Sequence, residues 1–406
     1  MEFQQILALA ILVVVTLLFA ARMVPKGVAG LLAVLAVALW AGLPAVLGTQ
    51  VPEALVATAG LMVLAGSLKR SGLAAWLTLL AMKGARGRPT RILWATGLLT
   101  FVLGALVGPL AAVALVLPVA LLLAVELDVP TLPFVLVLSW TSALGGITVL
   151  TAHPANLWTG VVFGVDGGEW LVRMLPLTVP ALFLTLILGS IAFRKGLRAT
   201  NERRARVLEF DELRSLGNPG QVAKTVTVLG LVVVALGLAP VLSLSPALVI
   251  LTGAVVLLLL EGPSAVDRAL GDLDGGVLLF YAGLFAVVGA LTASGLPQAV
   301  HGLEVHPVAI LWVSAVGGAL VDPGAIIGYL LPFLKGMGGQ LWPLAVVGAT
   351  VGGAATAWGA ASNAVALGLV PQESQGQAWK AFTLWGLVFG AANLAVITAV
   401  ALVLPQ

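Results

Sequence analysis

Two asparagines, Asn156 and Asn363, each stand ten residues after the second glycine of a pair, Gly145–Gly146 and Gly352–Gly353. A side-chain amide both donates and accepts hydrogen bonds. Hydroxyls surround each pair: Ser142, Thr148 and Thr151 in the first segment, and Thr350, Thr356 and Ser362 in the second. His153 also lies in the first segment, where it serves either as a proton carrier titrating near neutral pH or as a neutral hydrogen-bonding ring. Paired glycines permit both unwinding and close approach, so a helix opened here would present main-chain N–H and C=O groups beside these side chains. That is chemistry for gripping a small solute or ion. Bond-making chemistry is not indicated, because no nucleophile–base pair is visible and the His and acidic residues have no metal-ligand spacing such as H-E-x-x-H. Any single Gly or Thr could equally serve close helix packing, but the equal spacing of the two Asn argues for more.

A second motif is also duplicated. Gly104-Ala-Leu-Val-Gly108-Pro109 and Gly318-Ala-Leu-Val-Asp322-Pro323 are each followed, nine residues after the proline, by another proline, Pro118 or Pro332. Asp322, ahead of Pro323 and Gly324, is an acid at the tip of an apolar hairpin. An acid within the membrane is functional by default, coordinating an ion or carrying a proton; the alternative is a tip wetted at the outer surface. Its counterpart in the first half is Gly108.

The elements that must hold these residues follow from composition. The chain has 406 residues, 60% hydrophobic and 9% charged, against roughly 25% charged in soluble domains. Apolar runs of spanning length recur, without the alternation of a β-barrel. The expected fold is therefore an all-α polytopic membrane protein with about eleven transmembrane helices. There is no cysteine, which excludes disulfides and thiolate sites. No phosphate-binding G-x-x-x-x-G-K-[ST] loop appears, and the net charge of +3 gives no reason to expect a nucleic-acid partner. The stretch from Ile6 to Ala21 lacks a basic leader and reads as a first span.

Spans are expected near 5–21, 27–48 and 54–70, followed by a basic arm at 71–91. A re-entrant hairpin at 92–126 is broken at Gly108-Pro109 into pieces of about 16 residues, marginal for a bilayer of about 30 Å. A broken helix at 129–163, unwound between Ala143 and Pro154, and a span at 172–193 complete a first repeat over 1–193. A polar linker, 194–224, precedes a second repeat over 225–406, with spans at 225–242, 245–261 and 276–294 and an arm at 296–308. Then come a hairpin at 309–337, a broken helix at 341–370 and a last span at 379–404. Placing the linker in the cytoplasm puts eighteen of the twenty Lys and Arg inside, as the positive-inside rule asks. Both termini then lie outside the inner (plasma) membrane, and the two hairpins enter from opposite faces, as inverted repeats demand. Repeated Gly/Pro interruptions in two halves are the mark of a secondary transporter.

At these residues the chain resembles the ion transporter superfamily, which holds arsenite permeases, related sodium/proton antiporters, citrate transporters and divalent anion:sodium symporters. Ser142 to Asn156 is similar to the family's Gly-Gly…Thr…Gly-x-Pro-x-Asn signature, and Gly352 to Asn363 to its second copy; Gly104–Pro118 and Gly318–Pro332 match the two hairpins. The resemblance covers essentially the whole chain. It implies a scaffold domain, a mobile transport domain holding both hairpins and both broken helices, elevator-like movement and a homodimer. The chain departs from the pattern in having Gly108-Pro109-Leu110 where permeases and antiporters carry Asn-Asp, in lacking the symporters' Ser-Asn-Thr tip, and in having His153 at a position usually small or Pro.

The expected function is secondary active transport, without catalysis, of a small anion or oxyacid: a di- or tricarboxylate, arsenite or another oxyanion. The alternative is a sodium/proton antiporter using Asp322. No cofactor is expected beyond a coupling Na⁺ or H⁺, with Na⁺ near Asn156, Asn363 and Asp322. The partners are the solute, the bilayer and a second copy of the chain.

Overall fold

Proline opens helix after helix here, at Pro89, Pro109, Pro154, Pro219, Pro246, Pro307 and Pro323, because its fixed φ suits a first turn whose N–H groups have no partner in the helix. The computed structural model describes residues 26–41, 51–300, 302–337 and 341–403, together with Ala10, Val13 and Val14. The span expected at 5–21 otherwise lies outside the described residues. Among the described residues the helices are α1 (Lys26–Ala41), α2 (Val51–Arg70), α3 (Leu73–Gly84), α4 (Pro89–Val107), α5 (Pro109–Glu126), α6 (Leu132–Thr148), α7 (Pro154–Phe163), α8 (Gly167–Ala192) and α9 (Asn201–Leu208). They continue with α10 (Pro219–Leu238), α11 (Pro246–Glu261), α12 (Pro263–Asp272), α13 (Gly275–Ala293), α14 (Pro307–Leu320), α15 (Pro323–Gly336), α16 (Trp342–Ala355), α17 (Ala361–Gly368) and α18 (Gln372–Val403). Six of them, α4, α5, α8, α10, α13 and α18, are long and apolar enough to cross a bilayer, and the chain is an all-helical, multi-pass membrane protein.

The innermost helices are α6 and α16. Every side chain from Pro133 to Thr148 and from Trp342 to Ala355 is buried, as expected for helices apolar all round. Helix α4 packs along α6 and α14 along α16, while α8 and α18 cover the far sides and touch each other. A second group pairs α1 with α13 and α2 with α11. Glycine sets these distances. A Cβ on Gly145 would lie 2.0 Å from Phe101 O, and one on Gly352 1.8 Å from Ala315 O. The reciprocal glycines, Gly104 and Gly318, would clash with Ser142 O and Ala349 O at 2.5 and 1.9 Å.

The breaks fall later than the glycine pairs suggest. Gly145–Gly146 and Gly352–Gly353 sit inside α6 and α16, and the chain leaves the helix at 149–153 and 356–360. The pairs serve close approach, and the unwinding occurs where the next helix needs its own N-terminus. The first hairpin has helices of 19 and 18 residues, longer than the 16 expected, whereas the second has two of 14. Pro118 stays inside α5 and Pro332 inside α15. The span expected at 225 begins at Pro219, because Asn218 caps it by accepting from Gly220 N–H at 2.8 Å.

The linker is tied to the first half. Arg203 pairs with Asp128 at 3.2 Å and donates to Glu126 O at 3.3 Å, and Gly217 N–H donates to Ser71 O at 2.9 Å. Lys83 on α3 donates to Glu212, and this bond holds the Glu212 carboxyl below its usual range. At the end of α2, Arg70 meets Glu261 at 3.1 Å, and Ser67 bonds both Glu261 and Thr225.

Two outcomes are expected. Gly352→Ala should lower the melting temperature of purified protein by an overpacking cost of ~1–3 kcal/mol, while Gly368→Ala, where an added Cβ meets nothing within 4 Å, should leave it unchanged or raised. Because the folded Glu212 carboxyl is depressed, its contribution to linker docking is full above the ordinary carboxylate pKa and is lost as pH falls through the lowered value. Limited proteolysis of the linker should therefore accelerate below about pH 4, and Glu212→Gln should remove that dependence.

Candidate functional site

Four helices begin at one cavity. Its volume is about 320 Å³, and its lining includes Gly108 and Pro109, His153 and Pro154, Asp322 and Pro323, and Ala360, Ala361 and Ser362. These are the first residues and caps of α5, α7, α15 and α17. Each N-terminus brings the positive end of a helix dipole to the cavity, and those of α5 and α17 have no side-chain cap for their first N–H groups. Both hairpin tips and both breaks thus meet at the same place, and α15 packs on α7 while α17 packs on α5.

Of the residues singled out by sequence, Gly108, Pro109, Gly146, His153, Asp322, Pro323, Thr350 and Ser362 line this cavity. Gly324 lies just behind it: a Cβ there would come 3.0 Å from Tyr281 Oη and 3.2 Å from both Asp322 Oδ1 and His153 Cε1. Gly353 backs the second hairpin tip, 2.3 Å from Pro323 Cγ by the same construction, as Gly146 backs Pro109 at 2.7 Å. Ser142, Gly145, Thr148, Gly352, Thr356, Asn156 and Asn363 are not in the lining, and Thr151 faces a separate apolar cleft that also holds Leu150 and Trp158. Ser142 donates to Ser139 O at 2.8 Å, and Thr148 to Leu144 O at 2.7 Å and to Thr178 at 3.0 Å. Thr356 donates to Ala319 O at 2.9 Å, fastening the second break to the second hairpin.

The two asparagines do identical work. Asn156 Nδ2 donates to Gly146 O at 2.8 Å and Val149 O at 3.0 Å; Asn363 Nδ2 donates to Gly353 O at 2.9 Å and Thr356 O at 2.8 Å. Each closes its own break by satisfying carbonyls that the helix has left behind. With Nδ2 committed, Oδ1 is the amide atom left over, and in both residues it is buried and accepts no hydrogen bond from the described protein atoms. Such an atom suits a cation or a bound donor.

Tyr281 on α13 was not singled out by sequence. Its hydroxyl lies 3.2 Å from His153 Nε2, and the rings meet edge to face with centroids 5.9 Å apart. It is one of two tyrosines in the chain, and a phenol in an otherwise apolar span was the available signal. His153 Nδ1 accepts from Ala155 N–H at 3.3 Å and so caps α7, leaving Nε2 to carry the proton toward Tyr281 when the ring is neutral. Lys69 and Asp274, at the ends of α2 and α13, also line the cavity.

An all-helical membrane protein whose interrupted helices converge on one cavity is a solute transporter in design. The citrate transporter family model matches residues 5–347, and the chain belongs to that family. A protein of Mycobacterium tuberculosis named as an uncharacterized transporter is 31% identical over 83% of this chain and 82% of its own length. The magnetosome protein MamN of Magnetospirillum gryphiswaldense is 25% identical over 78% of this chain and 75% of its own. Among solved structures, the YdaH transporter of Alcanivorax borkumensis superimposes with a TM-score of 0.54 over 100% of this chain and 99% of that one, at 16% identity, a likeness of fold.

Asn156→Ala and Asn363→Ala each strand two carbonyls inside the protein. Each should cost ~1–3 kcal/mol of stability, read as a lowered melting temperature; an unchanged melt would mean that the amide does not close its break.

Proposed function

We propose that this protein is a secondary active transporter for a small carboxylate or comparable oxyanion, coupled to Na⁺ or H⁺. The observation that carries the reading is the convergence of four helix N-termini on one cavity, an arrangement that binds anions with little help from basic side chains. Membership of a citrate transporter family supports a di- or tricarboxylate over arsenite. The paired Oδ1 atoms of Asn156 and Asn363 support a coupling cation, with Na⁺ held at each break. Asp322 and His153 are the groups available to carry H⁺ instead.

In this mechanism, solute and cation together neutralise the site. The hairpins and broken helices then cross the membrane as one body, an elevator against the remaining helices, in a chain built of two inverted repeats and working as a homodimer. Lys69 stands beside Arg70, on the side that the charge pattern assigns to the cytoplasm, and it lines the cavity, which supports an inward-open state. A second reading, sodium/proton antiport, is favoured by one observation: Asp322 lines the cavity in company with His153 and Tyr281.

Proteoliposomes distinguish these readings. Citrate or succinate uptake driven by a sodium or proton gradient should fall by at least about tenfold, a change of ~1.4 kcal/mol in the barrier, in Asn156→Ala and Asn363→Ala. Uptake that survives both substitutions rejects this site. Sodium pulses that change the internal pH, lost in Asp322→Asn and accompanied by no carboxylate uptake, would establish the antiporter instead.

A further inference from the structure

The four N-termini at the cavity are not equivalent. Two carry a side-chain cap: His153 Nδ1 accepts from Ala155 N–H at α7, and Asp322 Oδ1 accepts from Gly324 N–H at α15, at 3.3 and 3.0 Å. The other two, α5 and α17, begin after Gly108 and Ala360 and have no side-chain cap. The capped helices pack on one another, and so do the open ones. The cavity therefore has a filled half and an open half. In the filled half, Tyr281, His153 and Asp322 crowd Gly324 closely enough that a Cβ there would lie 3.0–3.2 Å from all three.

This asymmetry is written into the backbone. Gly108 and Asp322 hold the same place in the duplicated hairpin motif, but Gly108 has φ +88° and ψ 157°, a region that essentially only glycine adopts. Asp322 has φ −54° and ψ 132°, open to any residue. A carboxylate can stand at one tip and not at the other.

An aspartate capping a helix N-terminus does there what an anionic solute would do: it accepts a main-chain N–H and meets the positive end of the dipole. We propose that Asp322 is a specificity-determining residue, a resident anion that occupies the α15 half of the site, leaves the α5–α17 half for a solute carboxylate, and so limits the negative charge the bound solute can carry. This deepens, and rests on, the anion reading of the cavity. Among the described residues lining it, Asp322 and Asp274 face one lysine, Lys69. An additional solute carboxylate reaching toward the filled half meets Asp322, and like charges a few ångströms apart repel.

The test compares citrate and succinate binding, by calorimetry and thermal shift, to the purified full-length protein and to Asp322→Asn and Asp322→Ser at neutral pH in sodium buffer. Asn and Ser cap helices about as well as Asp, so the charge is removed and the helix start is kept. The citrate-to-succinate affinity ratio is expected to rise by about tenfold or more in both variants. An unchanged ratio, or loss of all carboxylate binding in variants that melt like the parent, overturns this inference while leaving the anion site standing. A parent protein that binds no carboxylate or oxyanion at all removes the anion reading itself, and this inference with it.

Discussion

A polypeptide in lipid cannot leave its main-chain polar groups unpaired, and every interruption of a helix must answer that demand locally. Here the answer is given twice in the same form. A helix stops, its last carbonyls are taken up by an asparagine amide ten and seven residues further on, and the following helix begins at a cavity. Carbonyls and N–H groups are thus handled by different means. The carbonyls are satisfied within the protein at both breaks, whereas the N–H groups are capped by His153 at α7 and have no side-chain cap at α17. The chemistry of the site follows from that division, since it leaves the cavity rimmed by positive dipole ends.

Duplication supplies the geometry, and departure from duplication supplies the character of the site. Matching glycines bring α4 onto α6 and α14 onto α16, and matching glycines seat Pro109 and Pro323 against their broken helices. At the tips the halves diverge. His153 has no counterpart in the second break, where Ala360 precedes α17, and Asp322 has none in the first hairpin, where Gly108 precedes α5. Both polar substitutions fall on the α7–α15 pair, where Tyr281 reaches in from α13.

Much of this was legible in the sequence because it rests on local rules. Proline and glycine mark where helices start and stop, and a repeated motif shows that the marks are meant. The positions of the breaks were read too early because Gly-Gly resembles an unwinding signal. Only the packed neighbour, with Phe101 O or Ala315 O where a Cβ would go, reveals that the glycines make room for another backbone. The asparagines read as ligands, and half of their bonding capacity proves to serve the main chain. Tyr281 was missed for a different reason: it lies 128 residues from His153, and no local pattern carries a contact of that range. The capping of α7 and α15 but not of α5 and α17 was likewise hidden, since it depends on which side chain turns back on its own helix.

The packing also bears on how such a site could move. The hairpins and the broken helices are joined by backbone-to-backbone approaches at Gly104, Gly145, Gly318 and Gly352, and the two halves are cross-linked through α5 with α17 and α7 with α15. Helices packed this closely resist sliding past one another. Packing of this kind is what four interrupted elements would need to move as one. Against α13 the character changes: the meeting is made by side chains, with Tyr281 Oη near His153 and Trp158 edge-on to Phe285 at 4.6 Å. Side chains can change rotamer and exchange partners where interlocked backbones cannot. If part of this molecule carries solute across the membrane relative to the rest, the boundary runs where glycine contacts give way to these aromatic ones.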